Sequence, residues 1–219
     1  QGINFLLSSE VTKAKIKNDE VHIDINSIKD KKVNKLVFNK ALLAVGRTPN
    51  IEGMGLEALG IKFSNKGHIA VSQSYETSIE GIYAIGDVIE GPMLAHKASM
   101  EAQAVVDIII GKNGQVNYNA IPSVVYTSPE VAWVGKNQQE LDKYKINYKV
   151  GKFQFASNSR SKVSGNTTGM IKVYSHSESD KILGAHIIGN HAGEMIGEFV
   201  VAIEMGATAE DIALICHAH

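Results

Sequence analysis

The stretch TSIEGIYAIGD, residues 77–87, decides the fold because its short apolar run ends in Gly-Asp. Residues 82–85 have the apolar character of a buried strand in a parallel sheet, and Gly86 lets a backbone or a ligand come close. Asp87 follows that predicted strand. In open α/β sheets ligands bind at the carboxyl ends of the strands, and a carboxylate there can accept hydrogen bonds from vicinal hydroxyls. An ordinary strand followed by an Asp turn is the alternative.

A helix is predicted directly after this segment. Gly91 and Pro92 break the chain, small and apolar residues then recur at helical spacing as far as Ile110, and Gly111 provides a stop. The first turn of such a helix has unpaired N–H groups and the positive end of the helix dipole. An anion or an electron-rich ring, such as that of a reduced flavin, would be favoured beside Asp87.

Four motifs together resemble one known family. They are TSIEGIYAIGD at 77–87, GPMLAHKA at 91–98, AVGRTPN at 44–50 and ICHAH at 215–219. In this order they resemble the dihydrolipoamide dehydrogenases, which are flavoprotein disulfide reductases. The resemblance covers essentially the whole chain but corresponds to the carboxyl-terminal half of a family subunit.

The resemblance implies a mixed fold, α/β and α+β, in three segments. Residues 1–47 would be the tail of the NAD-binding domain, residues 48–118 the carboxyl-terminal part of the FAD-binding domain, and residues 119–219 the α+β interface domain that makes a homodimer. The residue patterns agree with strands and helices in this arrangement. Strands are expected at 21–25, 36–38, 41–46, 124–126, 131–134, 148–150, 170–174 and 182–188, and helices at about 137–144 and 191–205.

The cofactor contacts that the resemblance implies lie on both sides of Asp87. Asp87 would hold FAD together with the backbone of the following helix start, whereas the ring of His96 would pack or cap. Two further residues would approach the adenosine and nicotinamide of NAD through the backbone, with a core valine and a turn glycine as the alternatives. The implied residues are Asp87, Met93, Leu94, Ala95 and His96 for FAD, and Val11 and Gly46 for NAD.

His219 is the catalytic residue that the resemblance implies. In the family, the second histidine of His-Ala-His takes a proton from the substrate thiol, so that the thiolate attacks the enzyme disulfide. Imidazole suits this role because its ordinary pKa lies near neutrality. Electrons would pass from dihydrolipoamide through a cysteine pair and FAD to NAD, with His219 of one subunit serving the flavin of the other. His217 is expected to be structural.

Several features of a complete reductase are missing from the sequence. GMGLEA at 53–58 satisfies G-x-G-x-x-A, but no hydrophobic strand precedes it, so a loop with a short helical turn is expected there. Cys216 has no partner for a disulfide and is predicted to be a small buried residue. The chain alone is therefore expected to be inactive and to hold FAD weakly. A non-catalytic dimerisation module, or a piece of a glutathione or mercuric reductase, is the alternative.

Composition narrows the remaining possibilities. Hydrophobic residues make up 44% of the 219 residues, charged residues 21%, and the formal net charge is −1, which argues against disorder, nucleic-acid binding and a membrane partner. A single cysteine suggests a reducing, cytoplasmic compartment. No metal site is expected, since His191 and Glu194 lack a third ligand at useful spacing. By resemblance, the partners would be a second copy and the lipoyl domains of 2-oxoacid dehydrogenase complexes.

Overall fold

A computed structural model describes residues 2–218 and divides the chain into two compact units between Arg47 and Thr48. The first unit is an antiparallel sheet of three strands in the order β1-β2-β3. Its strands are β1 (Ser9–Lys17), β2 (Glu20–Ser27) and β3 (Val33–Phe38). Only β2 is largely half-buried, which is what a three-stranded meander with alternating polar residues produces.

The strand predicted at 41–46 is wrong. Residues 39–47 have no regular secondary structure, and Leu42 is 92% exposed. An apolar run becomes a strand only when neighbouring strands take its backbone hydrogen bonds, and no described strand of the first unit pairs with it.

The second unit begins with loops that are held together by single β-bridges. Phe63 pairs with Ile69, Ile69 with Ile89, and Glu76 with Tyr83. The strand predicted at 82–85 is therefore wrong: it is reduced to the one bridge at Tyr83 and runs into a 3-10 helix, Gly86–Val88. These loops pack against helix α1 (Ala95–Ile109) around one apolar core. The core residues are Ile61, Ile69, Tyr75, Ala84, Ile89, Ala104 and Val105.

The rest of the second unit is built on a five-stranded antiparallel sheet in the order β4-β5-β8-β7-β6. The strands are β4 (Ser123–Val125), β5 (Glu130–Gly135), β6 (Tyr148–Gln154), β7 (Met170–His176) and β8 (Ile182–Gly189). The helices are α2 (Gln138–Lys143), α3 (Ser159–Val163), α4 (Ala192–Met205) and α5 (Ala209–Leu214). The predicted mixture of α/β and α+β structure is confirmed.

One face of this sheet is covered by α4. Ala132 pairs with Ile187 and Val134 with Ala185, and all four are completely buried because alternate residues of a strand point to the same face. Ile196 on α4 packs into the same core. Within residues 2–218, no helix is both long and apolar enough to cross a membrane.

The close packing around β8 should make the stability of the fold sensitive to a side chain at Gly184. A Cβ at this position would overlap the backbone of Lys136, whereas a Cβ at Gly151, on edge strand β6, would meet open space. Gly184→Ala should therefore lower the free energy of unfolding by about 1–3 kcal/mol. The matched variant Gly151→Ala should raise it by about 0.4–1 kcal/mol, because alanine lowers the backbone entropy of the unfolded chain. Chemical denaturation of both variants measures the difference, and equal effects would contradict this packing.

Candidate functional site

Asp87 lies in a tight turn that is seated on the first turn of α1. It is half-buried within the 3-10 helix Gly86–Val88, and the residues on either side of that helix, Ile85 and Ile89, are extended. Gly86 has φ +73°, and a Cβ there would lie 3.1 Å from the Cβ of Ala98. A glycine at this position lets the turn come close to the helix.

The amino end of α1 has no side-chain cap among the described residues. Its N-cap residue, Leu94, makes no capping hydrogen bond, and the first turn contains no acidic residue. The N–H groups and the positive dipole end of a 15-residue helix are thus not neutralised by a carboxylate of that turn. Met93 and Leu94 are half-buried, whereas Ala95 and His96 are exposed.

The ring of His96 is used as a structural link. Its Nε2 lies 2.8 Å from the carbonyl oxygen of Pro122, just before β4. Because a carbonyl only accepts hydrogen bonds, Nε2 carries the proton and donates it. The backbone of His96 is thus the part of this residue that can contact a ligand at the helix start.

A buried ion pair lies beneath the Asp87 turn, and the sequence reasoning missed it. Lys97 and Glu101 are both 0% exposed, with Nζ 2.8 Å from Oε1. Lys97 Nζ also donates to the carbonyl oxygen of Gly86 at 3.3 Å, and the Gly86 N–H donates to Glu101 Oε2 at 2.7 Å. The available signal was the i,i+4 spacing of these charges beside the buried residues Ala104 and Val105.

Tyr118 completes this network. Its hydroxyl lies 2.8 Å from Glu101 Oε1 and 3.1 Å from the hydroxyl of Tyr75. Burial, and then the hydrogen bonds to Tyr75 and Glu101, raise the pKa of Tyr118 above its usual range. The raised pKa favours the protonated phenol, which can donate to the carboxylate.

The two residues predicted to approach NAD lie in the first unit. Val11 is in β1, pairs with Ile25 and is 58% exposed. Gly46 lies in the irregular stretch before Arg47, has φ +120° and would have open space around a Cβ. Their roles remain predictions.

The predicted catalytic residue, His219, lies outside the described residues. The described segment before it, residues 215–218, is exposed and irregular. His217 Nε2 lies 2.6 Å from Glu198 Oε1 on α4, so His217 ties this segment to the helix. Cys216 is exposed, so the prediction of a buried residue is wrong. It follows helix α5, none of whose residues is buried, and therefore lies outside the apolar core.

The Glu198–His217 pair should make the stability of the fold depend on pH. The hydrogen bond to Glu198, and then its negative charge, raise the pKa of His217 above the ordinary value of 6.5. The pair should therefore stabilise the fold below about pH 6.5, and this contribution should be lost as the pH rises through the raised pKa. Glu198→Gln should return the pKa of His217 toward 6.5 in an NMR titration of the ring.

Glu204→Gln is the control for this titration. Glu204 is on the same helix but accepts its hydrogen bond from Asn117 Nδ2 at 2.9 Å. This variant should leave the titration of His217 unchanged. If both variants shift the pKa of His217 equally, the pairing with Glu198 is not its cause.

The clefts of the second unit do not by themselves identify the site. One of about 810 Å³ lies over the five-stranded sheet and is lined by Trp133, Lys172 and His186. Another, of about 770 Å³, is lined by Tyr75, Glu90 and Tyr118 beside the buried network. Burial lowers the pKa of His186, which favours the neutral form of that ring. We therefore place the candidate site at Asp87 on the chemistry of its turn and not on the volume of either cleft.

Comparison with family models identifies the chain. Residues 1–102 match the model for pyridine nucleotide-disulphide oxidoreductase, and residues 121–219 match the dimerisation domain of the same group. The chain belongs to the pyridine nucleotide-disulphide oxidoreductase family. The family implies the use of a flavin and a nicotinamide cofactor.

Curated relatives give a finer comparison. The mitochondrial dihydrolipoyl dehydrogenases of Mus musculus and Homo sapiens are each 46% identical over 220 aligned residues, which is 100% of this chain and 43% of theirs. The Caenorhabditis elegans protein of the same name is 45% identical and is covered to 44%. The chain thus spans less than half the length of the curated relatives that it matches.

Solved structures show the same fold. LpdA from Mycobacterium tuberculosis matches with a TM-score of 0.88 at 22% identity, over 100% of this chain and 47% of that one. The HOCl-induced flavoprotein disulfide reductase RclA from Escherichia coli matches with a TM-score of 0.83 at 21% identity, over 96% of this chain and 47% of that one.

The cytoplasmic location predicted from the single cysteine is contradicted by these comparisons. The relatives from Mus musculus, Bos taurus and Homo sapiens are all mitochondrial by name. A single thiol indicates only that no disulfide framework is needed, and this property does not distinguish one reducing compartment from another.

Proposed function

We propose that the protein containing this chain is an NAD-dependent dihydrolipoamide dehydrogenase that uses FAD. The observation that carries the proposal is the Gly86–Asp87 turn seated on the uncapped start of α1. The 45–46% identity to dihydrolipoyl dehydrogenases supports it. Its domains would be residues 1–47 for NAD, 48–118 for FAD and 119–219 for the interface.

The residues of the second unit fit a flavin. A carboxylate at Asp87 can accept hydrogen bonds from ribityl hydroxyls, and the backbone N–H groups at Met93, Ala95 and His96 can meet the electron-rich side of the ring. Leu94 would contact the flavin in another way, because its N–H donates to the carbonyl oxygen of Pro92 at 3.0 Å. The glycine beneath Asp87 admits no Cβ without a close contact with Ala98. Bound FAD would supply electron transfer between a cysteine pair and the nicotinamide.

The remaining roles concern the proton and the second cofactor. His219 would take the proton of the substrate thiol and return it, and the link from His217 to Glu198 would fix the segment that carries it. Val11 and Gly46 would let NAD come close to the backbone. The protein would work as a homodimer, which residues 121–219 support, and would serve the lipoyl domains of 2-oxoacid dehydrogenase complexes.

A second proposal concerns the 219-residue chain by itself. Its sequence has one cysteine and no dinucleotide fingerprint that follows a strand. Alone, it would be a dimerisation module without redox chemistry.

The two proposals are tested separately. The full-length protein, purified from its complete reading frame, should show a flavin absorption spectrum and should reduce NAD with dihydrolipoamide as the electron donor. A colourless full-length protein without this activity, after incubation with FAD, would contradict the first proposal. A flavin spectrum from the 219-residue chain alone would contradict the second.

A further inference from the structure

We propose that Lys97 and Glu101 are positioning residues that lock the Asp87 turn to the amino end of α1 and so set the affinity for flavin. This inference rests on the proposed function. Among the described residues, Lys97 and Glu101 are the only charged side chains that are fully buried. Burying two charges is unfavourable unless close hydrogen bonds compensate for the lost hydration, so this pair has a role beyond apolar packing.

Both partners of the ion pair form a hydrogen bond with the backbone of one residue, Gly86. Glu101 accepts from the N–H of Gly86 at 2.7 Å, and Lys97 donates to the carbonyl oxygen of the same residue at 3.3 Å. The two hydrogen bonds fix the backbone immediately before Asp87. Because hydrogen bonds to charged groups are the stronger kind, the orientation of the Asp87 turn is held firmly relative to α1.

The pair also contacts the segment that joins the turn to the helix. A Cβ on Gly91, which has φ +127°, would lie 3.5 Å from Lys97 Cε, so the lysine stem runs directly beneath this glycine. Gly86 and Gly91 thus both contact the Lys97 side chain. The two elements expected to meet the flavin, the Asp87 carboxylate and the start of α1, therefore keep one fixed separation before a ligand arrives, which improves affinity.

Tyr118 holds the acidic partner from the other side. Its hydroxyl lies 2.8 Å from Glu101 Oε1, the oxygen that also faces Lys97. With this contact, the carboxylate has two partners on Oε1 and the Gly86 N–H on Oε2. Its rotation is therefore restricted by three hydrogen bonds.

Two double variants of the full-length protein separate positioning from folding. K97M/E101L replaces the pair by apolar residues and removes both hydrogen bonds to Gly86. K97M/E101Q also removes both charges, but its amide oxygen can still accept from the Gly86 N–H. The affinity for FAD is measured by fluorescence titration of the flavin-free proteins, at a temperature at which denaturation curves show each one folded.

K97M/E101L should bind FAD at least about tenfold more weakly than the wild type. K97M/E101Q should lose only about threefold, because it lacks the Lys97 donor but keeps the acceptor for the Gly86 N–H. Val105→Ala is the control, since Val105 is a buried residue of the same helix and core cluster. Val105→Ala should lower the stability of the fold. It should leave the affinity for FAD within about twofold of the wild type, because valine has no polar group that bonds to Gly86.

Three results would overturn the inference while leaving the proposed function intact. They are an unchanged affinity in K97M/E101L, an equal loss in both double variants, and an equal loss in Val105→Ala. A wild-type protein that does not bind FAD would instead overturn the proposed function. If the double variants do not fold, Tyr118→Phe decides, because Tyr118 is 49% exposed and tolerates the change. A loss of about threefold or more supports the inference, and unchanged binding overturns it.

Discussion

In the full-length protein, Lys97→Met should destabilise the domain that contains α1. We expect its free energy of unfolding to fall by about 3–5 kcal/mol. The reason is that Glu101, 0% exposed, would be left buried without its cationic partner at 2.8 Å. The Gly86 carbonyl oxygen would also lose its donor at 3.3 Å. Denaturation in urea, followed by circular dichroism at constant pH, measures the change.

The matched control is Lys112→Met. Lys112 Nζ lies 3.8 Å from Asp107 Oδ1, and the two side chains are 70% and 44% exposed. Solvent screens such a pair, so the variant should change the free energy of unfolding by about 0.5 kcal/mol or less. If Lys97→Met is as mild as Lys112→Met, then Lys97 and Glu101 do not form a buried ion pair in solution.

Asp87→Ala should weaken FAD binding by about 10- to 100-fold, as the loss of one or two hydrogen bonds to a carboxylate predicts. Asp87→Asn should have a smaller effect, since its side-chain oxygen can still accept one hydrogen bond. Both are measured by titrating flavin-free full-length protein with FAD.

Glu90→Gln is the control for the aspartate variants. Glu90 is an exposed carboxylate three residues further along the same loop. If the effect of Asp87→Ala came from the net charge of the loop, Glu90→Gln would share it. We expect Glu90→Gln to bind FAD as the wild type does, and an equal loss would show that Asp87 does not contact the flavin.

The sequence was informative wherever a periodic pattern has its partners within this chain. The helix predicted after Gly91 is α1, and the pattern at 191–205 is α4. The apolar runs at 131–134 and 182–188 form β5 and β8, whose inward residues are completely buried against α4. In these elements, local propensity and tertiary packing favour the same structure.

The failures have a common physical cause. The apolar runs at 41–46 and 82–85 have strand character, but a strand needs a neighbouring backbone, and the described chain gives the second run only the bridge at Tyr83. The buried pair escaped prediction for a related reason. Lys97 and Glu101 have the i,i+4 spacing of an ordinary exposed ion pair, and only the fold brings Gly86 onto them.

The proposed flavin site is formed jointly by the Asp87 turn and the amino end of α1. The most direct measurement is a crystal structure of the full-length protein with bound FAD. We predict an Asp87 carboxylate oxygen within about 3 Å of a ribityl hydroxyl, and the flavin ring against the first N–H groups of α1. A flavin bound elsewhere, with Asp87 out of hydrogen-bond distance of every ribityl hydroxyl, would contradict the account.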